Sequence, residues 1–258
     1  MTALTALVLA GTRSGGDPLV AFAGVSHKAL IQVGGRTMIE RVVTALAAVP
    51  EVARIVVAIE RPELLRDLPG LQPAVLGKPL STMGTADGPS ATVAAALSSL
   101  GVPLLVTTAD HALLQAAWLT EFLAACPADA DVTAALAGRV AVESAAPHTR
   151  RTWLRFADGD HSGCNLFLMS RPAASEVIAL WRELERHRKE PLQMMRRLGW
   201  LFALRYRLGQ LTLSAATARL GALAGGARLA IVQLKDGRAA IDVDKPADLE
   251  LVRQLADD

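Results

Sequence analysis

The chain has 258 residues, of which 52% are hydrophobic, and its formal net charge is +2. This length and apolar content suit one large α/β domain or two small ones, and the near-neutral charge gives no general reason to expect a nucleic-acid partner. Two cysteines, Cys126 and Cys164, cannot form a disulfide framework. The amino-terminal apolar run is too short for a membrane span and lacks a basic leader. We therefore expect a soluble, cytoplasmic protein.

The first 138 residues predict strands and helices in alternation. Continuous apolar runs predict buried strands, and apolar residues at helical spacing predict helices. The predicted strands cover residues 4–9, 54–59, 74–76, 102–108 and 131–137, and the predicted helices cover residues 38–48, 62–68, 90–100 and 113–125. Strands that alternate with helices of these lengths are typical of a parallel sheet that helices cover on both faces.

The alternation stops after residue 138. The segment 139–160 is polar and cationic, with a possible strand at 153–156. A strand is predicted at 163–169, and helices at 173–188, 191–208 and 211–223. The remaining predicted elements are strands at 227–234 and 239–244 and a helix at 246–256, with proline in its first turn. We interpret residues 1–258 as a single domain with a helical insertion at about 172–223.

The first predicted strand leads into a long loop that contains Gly11, Gly15, Gly16 and Gly24. Arg13 lies near the start of this loop and Lys28 at its end. Glycines allow backbone N–H groups to approach an anion, and the two cations neutralise it, so the loop suits phosphates. An ordinary surface turn with chance charges is the alternative. The Gly-Lys-Ser/Thr signature of P-loop enzymes and the dinucleotide-binding pattern are both absent.

This stretch resembles the signature of the MobA-like nucleotidyltransferases, which belong with the enzymes that activate sugar phosphates and isoprenoid precursors. The matching residues are Leu9, Ala10, Gly11, Thr12, Arg13, Lys28 and the Gly34-Gly35 turn. Thr12 replaces the usual glycine, and the segment 17–26 makes the loop longer than is usual in that family.

The resemblance implies both a fold and a reaction. The fold is a three-layer, Rossmann-like α/β domain of the GT-A type with a mainly parallel sheet. The reaction transfers an NMP from an NTP to a phosphorylated acceptor and releases pyrophosphate, with Mg²⁺ as the cofactor. Arg13 and Lys28 would stabilise the charge that develops toward pyrophosphate. By family association, CTP and GTP are favoured over ATP and UTP.

Two acidic positions are candidates for holding the metal. Asp110 ends an apolar strand, and ligands collect at the carboxyl ends of strands in open α/β sheets. A helix N-cap is the alternative role for Asp110. Asp244 matches the acidic residue that precedes the last helix in the family, where it is a second metal ligand in several relatives. Asp242 lies two residues earlier on a predicted strand, and two such positions point to the same face, so Asp242 could also reach the metal. A cluster of acids at a helix start is the alternative for both.

Other residues are assigned by the same resemblance. Leu9, Ala10, Gly11 and Thr12 are expected to bind the nucleotide, as are Gly84, Gly88 and Ser90, which resemble the loop that holds base and ribose. Asn165 resembles the family residue that holds the second substrate, with a backbone turn as its alternative role. Lys78 could contact the base or a phosphate, or lie free in solvent.

The helical insertion is basic and carries interleaved aromatic residues. Its cations are Arg182, Arg186, Arg188, Lys189, Arg196, Arg197, Arg205 and Arg207. Such a segment is often a solvated face, yet it could also contact an anionic membrane surface or an anionic acceptor. The expected partners are therefore an NTP and a phosphorylated small-molecule or lipid acceptor, with possible peripheral membrane contact. The sequence does not give the oligomeric state.

Two rival functions remain open at this level. The altered first loop allows a non-catalytic nucleotide sensor or scaffold. A GT-A glycosyltransferase is the other, although that class often carries Asp-x-Asp after a central strand, and here Asp110 is followed by His111 and Ala112.

Overall fold

The computed structural model describes residues 3–12, 16–147, 149–187 and 190–257. Its strands are β1 Leu4–Leu9, β2 Gln32–Val33, β3 Arg36–Thr37, β4 Val52–Ala58, β5 Leu80–Met83, β6 Leu104–Thr108, β7 Val132–Gly138, β8 Leu154–Phe156, β9 Gly159–Met169 and β10 Leu229–Leu234. Its α-helices are α1 Pro18–Ala23, α2 Met38–Ala47, α3 Pro73–Leu76, α4 Pro89–Leu100, α5 Ala116–Ala125, α6 Arg139–Ala145, α7 Ala174–Arg186, α8 Pro191–Leu198, α9 Trp200–Arg207, α10 Leu213–Leu223 and α11 Pro246–Asp257.

Within the described residues, eight strands form one mixed sheet in the order β10-β7-β9-β6-β1-β4-β5, with β8 attached to β9. The pairs β1–β4, β1–β6, β4–β5 and β10–β7 are parallel. The long strand β9 runs antiparallel between β6 and β7. The short strands β2 and β3 form a separate hairpin, whose Gly34-Gly35 turn has positive φ at both residues, as a tight two-residue hairpin turn requires.

Helices cover both faces of the large sheet, because side chains that alternate along each strand enter different cores. In β1, Ala6 and Val8 face a core that includes residues of α2, α5 and α11. Leu7, between them, faces a second core that includes residues of α4 and α7. All three side chains are fully buried. The predicted three-layer α/β architecture with a mainly parallel sheet is therefore confirmed.

Local sequence signals explain why the early elements form where they do. Thr37 begins α2 with a capping box, in which its side chain and that of Glu40 bond reciprocally to each other's backbone N–H groups. The α4 helix lies between Gly88 and Gly101, both with positive φ. The long first loop contains a helix that the sequence did not predict, α1, which Asp17 caps and which buries Leu19.

Two predicted strands are wrong. Residues 74–76 belong to the single helical turn α3, because Pro73 suits a first helical position and Gly77, at φ 62°, ends the turn. The edge strand is instead β5, directly before Gly84. Residues 239–244 contain the end of a 3₁₀ turn, Gly237–Ala240, followed by extended chain outside the sheet. Here α6 crosses so closely that a Cβ on Gly237 would lie 2.2 Å from the carbonyl oxygen of Ala141.

The segment predicted to be a helical insertion contains α7, α8, α9 and α10. The helix predicted at 191–208 is in fact two helices, because Gly199 adopts a φ of 104° between α8 and α9. The α7 helix packs against α4 and so belongs to one covering layer of the sheet. Among the described residues, no helix combines the length and apolarity needed to cross a bilayer.

Candidate active site

Three parallel strands, β1, β4 and β6, deliver their following residues to the same edge of the sheet. The Ala10 N–H donates to the Ala58 carbonyl at 2.9 Å, and the Ala109 N–H donates to the Leu9 carbonyl at 2.9 Å. The first glycine loop, Glu60 and Asp110 therefore leave the sheet side by side. Ligand sites of open α/β sheets form at this carboxyl edge.

Lys28 joins the two acids that the sequence singled out. Its Nζ donates to Oδ2 of Asp110 at 2.7 Å and to Oδ1 of Asp244 at 3.2 Å. Asp110 and Asp244 are far apart in the chain, and the Val243 N–H, which donates to the Asp110 carbonyl at 3.1 Å, holds their segments together. Burial lowers the pKa of Lys28, but the two carboxylates outweigh it, so the net shift is upward and the ammonium stays charged.

The structure separates Asp110 from the helix-capping role that was its alternative. The α5 helix begins at Ala116, and its N-cap is Gln115, not Asp110. Before α11, the carboxylate of Asp248 accepts the N–H groups of Asp244 and Lys245, at 3.2 and 3.0 Å, as expected for a residue that caps that helix. The side chain of Asp244 turns toward Lys28.

The donor set at Lys28 fits a divalent cation. The Lys28 ammonium contacts both carboxylates, so the two acids already share one cation. The second oxygen of Asp110, Oδ1, is buried and accepts no hydrogen bond from the described residues. No three His, Cys, Asp or Glu side chains of the described chain converge on one point. Mg²⁺ is commonly held by one or two carboxylates together with substrate phosphates and waters, and Asp110 and Asp244 match that arrangement.

The first loop is anchored by Glu60, which the sequence analysis did not single out. The Thr12 N–H donates to Glu60 Oε1 at 3.0 Å, and the Thr12 hydroxyl bonds to the same oxygen. Burial raises the pKa of Glu60, but the Thr12 hydrogen bonds, together with a bond from the backbone of Glu60 itself and the nearby His27, leave the pKa below its usual value. The signal that could have found Glu60 is its position after the apolar run of β4. Arg13 lies outside the described residues.

The far end of the first loop is tied to the same carboxylate. His27 Nε2 lies 3.5 Å from Glu60 Oε1, and His27 Nδ1 accepts the Ala29 N–H at 3.1 Å, which caps the 3₁₀ turn Lys28–Leu30. Burial lowers the pKa of His27 despite the nearby Glu60, so the ring is neutral near pH 7. Glu60 thus links both ends of the loop and fixes where Lys28 begins its turn.

The second glycine loop, Gly84 to Gly88, lies against the first. A Cβ on Gly11 would come within 3.1 Å of Thr85 Cγ2, so a side chain at position 11 would push the two loops apart. The Ala86 N–H donates to the Thr92 hydroxyl at 2.9 Å, which fixes the second loop on the first turns of α4. The loop that carries Gly11 and Thr12 and the loop that carries Gly84 and Gly88 therefore lie against each other.

A carboxylate from the helical insertion occupies the start of α4. The Ser90 N–H donates to Glu185 Oε2 at 3.3 Å, and the Ser90 hydroxyl bonds to the same oxygen. Gly88 lies beneath this carboxylate, since a Cβ there would be 3.4 Å from Glu185 Oε1. No sequence signal pointed to Glu185. It is 95 residues from Ser90, and nothing in the sequence distinguishes it from the other acids nearby.

Asn165 and Asp242 form a second cluster beside the first. Asn165 Nδ2 donates to Asp242 Oδ2 at 2.7 Å, and Arg151 bonds to Oδ1 of the same carboxylate. Asn165 has a φ of 48°, a left-handed conformation that asparagine tolerates better than most residues. The prediction that Asp242 and Asp244 share one strand face is wrong, because this segment is not a strand. Asp242 holds Arg151, whereas Asp244 reaches Lys28.

Lys78 does not join either cluster. Its ammonium donates to the carbonyl of Val49, just before β4 begins. This places Lys78 at the amino ends of the parallel strands, whereas the two clusters lie at the carboxyl ends. Lys78 is therefore not part of the candidate site that the two clusters form. Its ammonium instead bonds to the Val49 carbonyl, which lies just beyond the end of α2.

Several solved structures have a similar fold. A hypothetical transferase from Thermus thermophilus is 27% identical, with a TM-score of 0.78, over 96% of this chain and 100% of the other. The 4-diphosphocytidyl-2C-methyl-D-erythritol synthase of Anaerococcus prevotii DSM 20548 is 9% identical, with a TM-score of 0.60, over 100% and 99% of the two chains. A CMP:2-keto-3-deoxy-manno-octonic acid synthetase solved with CTP is 15% identical, with a TM-score of 0.58, over 98% of each.

Because the two synthases are only 9% and 15% identical to this chain, they show that the fold is similar and nothing more. No curated protein matches the sequence. The sequence model of the MobA-like NTP transferase domain matches residues 6–224, which is most of the chain and contains Gly11, Lys28, Asp110 and Asn165. The chain belongs to the MobA-like NTP transferase domain family.

Proposed function

We propose that this protein transfers an NMP from an NTP, with CTP or GTP favoured, to a phosphorylated acceptor and releases pyrophosphate. The observation that carries this proposal is the Lys28 ammonium between Asp110 and Asp244, at the sheet edge where the two glycine loops meet. Membership of an NTP transferase family supports the reaction class. The preference among bases and the acceptor are parts of the proposal.

In the proposed reaction, an oxygen of the acceptor phosphate attacks the α-phosphorus of the NTP. A new P–O bond forms, the bond from the α-phosphorus to the bridging oxygen breaks, and the electron pair leaves with pyrophosphate. Positioning and electrostatic stabilisation are sufficient for such a transfer, so no side-chain nucleophile is needed. Lys28 and Arg13 would face the triphosphate and stabilise the negative charge that moves toward pyrophosphate.

The nucleotide would lie against the two glycine loops. Leu9, Ala10, Gly11 and Thr12 would offer backbone groups to it on one side, and Gly84, Gly88 and Ser90 on the other. Asp110 and Asp244 would hold Mg²⁺, whose chemistry when bound is to neutralise the phosphates of the NTP. Before any ligand arrives, Lys28 screens the two carboxylates from each other and keeps them close.

The second cluster suits the acceptor. Arg151 is the cation of this cluster, and its Nε is buried without a partner in the described chain, so it retains a donor for an anionic group. Asn165 fixes the Asp242 carboxylate that orients this guanidinium. We assign Asn165 and Arg151 to the phosphate of the acceptor, and Asp242 to positioning Arg151.

The experiment measures pyrophosphate release with each of the four NTPs, Mg²⁺ and a panel of phosphorylated acceptors. We expect release to require one NTP and one acceptor class together. Arg151→Gln should raise the acceptor KM more than the NTP KM. Arg155→Gln, an exposed arginine on the neighbouring strand β8, is the matched control. Nucleotide binding without release for any pair would favour the sensor, and release of a nucleoside diphosphate from a sugar nucleotide would favour the glycosyltransferase.

A further inference from the structure

The α9 helix exposes an unusual set of apolar side chains. Trp200, Leu201, Leu204 and Leu208 are 60%, 68%, 52% and 57% exposed. At about 100° of rotation per residue, these four positions lie within an arc of about 100° on one side of the helix. Apolar side chains scattered singly on a surface need no explanation, but a continuous apolar stripe marks an interaction surface. We call these four residues the α9 stripe.

Arginines border the α9 stripe. Arg205 and Arg207 are exposed and lie on either side of it by the same helical rotation. Neither they nor exposed Arg196 on α8 forms an ion pair within the described chain, whereas Arg197 pairs with Glu183 at 2.9 Å. The stretch from residue 191 to residue 227 contains five arginines and no Asp or Glu at all. The stretch of chain that carries the stripe is therefore cationic.

The opposite side of α9 is fixed to the rest of the protein. Tyr206 accepts the Arg155 N–H at 3.4 Å through its hydroxyl, and its ring meets Phe156 edge-on, with centroids 5.8 Å apart. Both partners lie on β8, which pairs with the strand that carries Asn165. The α9 stripe thus faces outward from a helix that is attached beside the proposed acceptor cluster.

We propose that the α9 stripe docks this protein on the surface of an anionic phospholipid bilayer. The four apolar side chains would enter the boundary between headgroups and acyl chains, and the bordering arginines would contact lipid phosphates. A second copy of the chain fits this surface poorly, because its cationic stretch would meet another cationic stretch without an acidic partner. An eight-residue helix is too short to span a bilayer, so the contact is peripheral. The inference goes beyond the proposed function and does not depend on it.

The test is flotation of the purified full-length protein with vesicles of phosphatidylcholine alone or with 30% phosphatidylglycerol. Binding is expected only with the anionic vesicles, and it should disappear in high salt, because salt screens the arginines. Each basic residue near such a surface contributes about fivefold to partitioning, so Arg205→Gln with Arg207→Gln should weaken binding by about 25-fold. Arg61→Gln with Arg66→Gln removes the same charge from another exposed surface and should leave binding unchanged.

A second readout follows the stripe itself. Brominated lipids should quench the fluorescence of Trp200, and Trp200→Phe should remove that quenching while retaining vesicle binding. Leu204→Asp should abolish flotation without changing the circular dichroism spectrum. Absence of flotation with anionic vesicles, or an equal loss in the control pair, would overturn the proposal. A concentration-dependent dimer that Leu204→Asp dissociates would overturn it in favour of self-association. None of these measurements contains an NTP, so their failure leaves the proposed reaction untouched.

Discussion

Ser90 donates both its backbone N–H and its hydroxyl to one carboxylate oxygen of Glu185. Ser90 lies in the first turn of α4, where backbone N–H groups have no partner within the helix. Glu185 comes from α7, in the helical insertion, so a side chain of the insertion holds donors that a nucleotide would otherwise use. Glu185 would therefore compete with a nucleotide for the donors of Ser90.

We predict that Glu185→Ala strengthens NTP binding by about fivefold to tenfold. The bound nucleotide must displace Glu185 from Ser90, and a net hydrogen bond costs about 1 kcal/mol to break. Removing the carboxylate also removes a negative charge near the triphosphate. Isothermal titration with the preferred NTP measures the change. Glu183→Ala removes the same charge from the same helix without touching Ser90, and it should have little effect.

A weaker NTP affinity in Glu185→Ala would contradict this reading. It would mean that the carboxylate contributes to nucleotide binding, as an acceptor for N–H groups of the base. The two outcomes have opposite signs, so the experiment separates them without any knowledge of the acceptor.

Part of this arrangement follows from sequence patterns that act locally. The apolar run of β1 predicts a buried strand with its observed bounds, and Asp110 is placed at the correct sheet edge by the rule for parallel strands. The motif before α11 placed Asp244 near the same edge. Asp110 and Asp244 both contact Lys28, and the family resemblance predicts that these two acids hold one metal ion.

The rest depends on contacts between distant parts of the chain. Glu60 and Thr12 are 48 residues apart, and Glu185 and Ser90 are 95 apart, so no local pattern links them. The predicted strand at 239–244 is wrong for the same reason. Just before this segment α6 packs closely against Gly237, and periodicity alone does not report a close helix crossing.

We predict that Asp110→Asn and Asp244→Asn each lower the rate of pyrophosphate release by about 100-fold or more. Each change removes one of two charges that would hold the cation, and losing a single preorganised electrostatic contact costs roughly that much in other enzymes. Thermal unfolding of Asp110→Asn should change little, since the N-cap of the following helix is Gln115. Mg²⁺ titration calorimetry in the presence of NTP should show weaker binding for both variants.

Asp129→Asn is the matched control, because Asp129 is an exposed aspartate paired with Arg228 away from the candidate site. Its activity should equal that of the parent. Full activity in both site variants would remove Asp110 and Asp244 from the metal site, and loss of folding in both would restore a structural role for the acids.

We predict that Lys28→Ala weakens the binding of NTP far more than that of the nucleoside. The ammonium lies at the proposed triphosphate position and contacts no group that a base would use. Lys28→Ala also leaves Asp110 and Asp244 facing each other without a cation, which adds repulsion toward the phosphates. Arg13→Ala should act in the same direction. Titration calorimetry with NTP and with nucleoside measures the two affinities. Lys78→Ala, at the amino ends of the parallel strands, should change neither affinity. Equal losses for the two ligands would place Lys28 at the base instead.

The Glu40 carboxylate, unlike Asp110 and Asp244, contributes to the stability of the fold. It accepts the Thr37 N–H at 2.9 Å, the Thr37 hydroxyl at 2.7 Å and the Gly70 N–H at 2.8 Å. Burial raises the pKa of Glu40, but these hydrogen bonds outweigh it and hold the pKa below its usual value of 4.5. A lowered pKa means that the unfolded chain binds this proton more tightly than the folded one.

We predict that Glu40→Gln lowers the free energy of unfolding at pH 7 by about 2 kcal/mol, because an amide N–H would face the donors of Thr37 or Gly70. The stability that the ionised Glu40 supplies is complete above pH 4.5 and is lost as the pH falls below that value. The parent should therefore lose more stability than Glu40→Gln between pH 7 and acidic pH, and the two should converge. Urea unfolding across this range measures the difference. Glu250→Gln, at an exposed position on α11, should have the same free energy of unfolding as the parent at every pH. A difference between Glu40→Gln and the parent that stays constant with pH would show that Glu40 contributes through packing rather than through its charge.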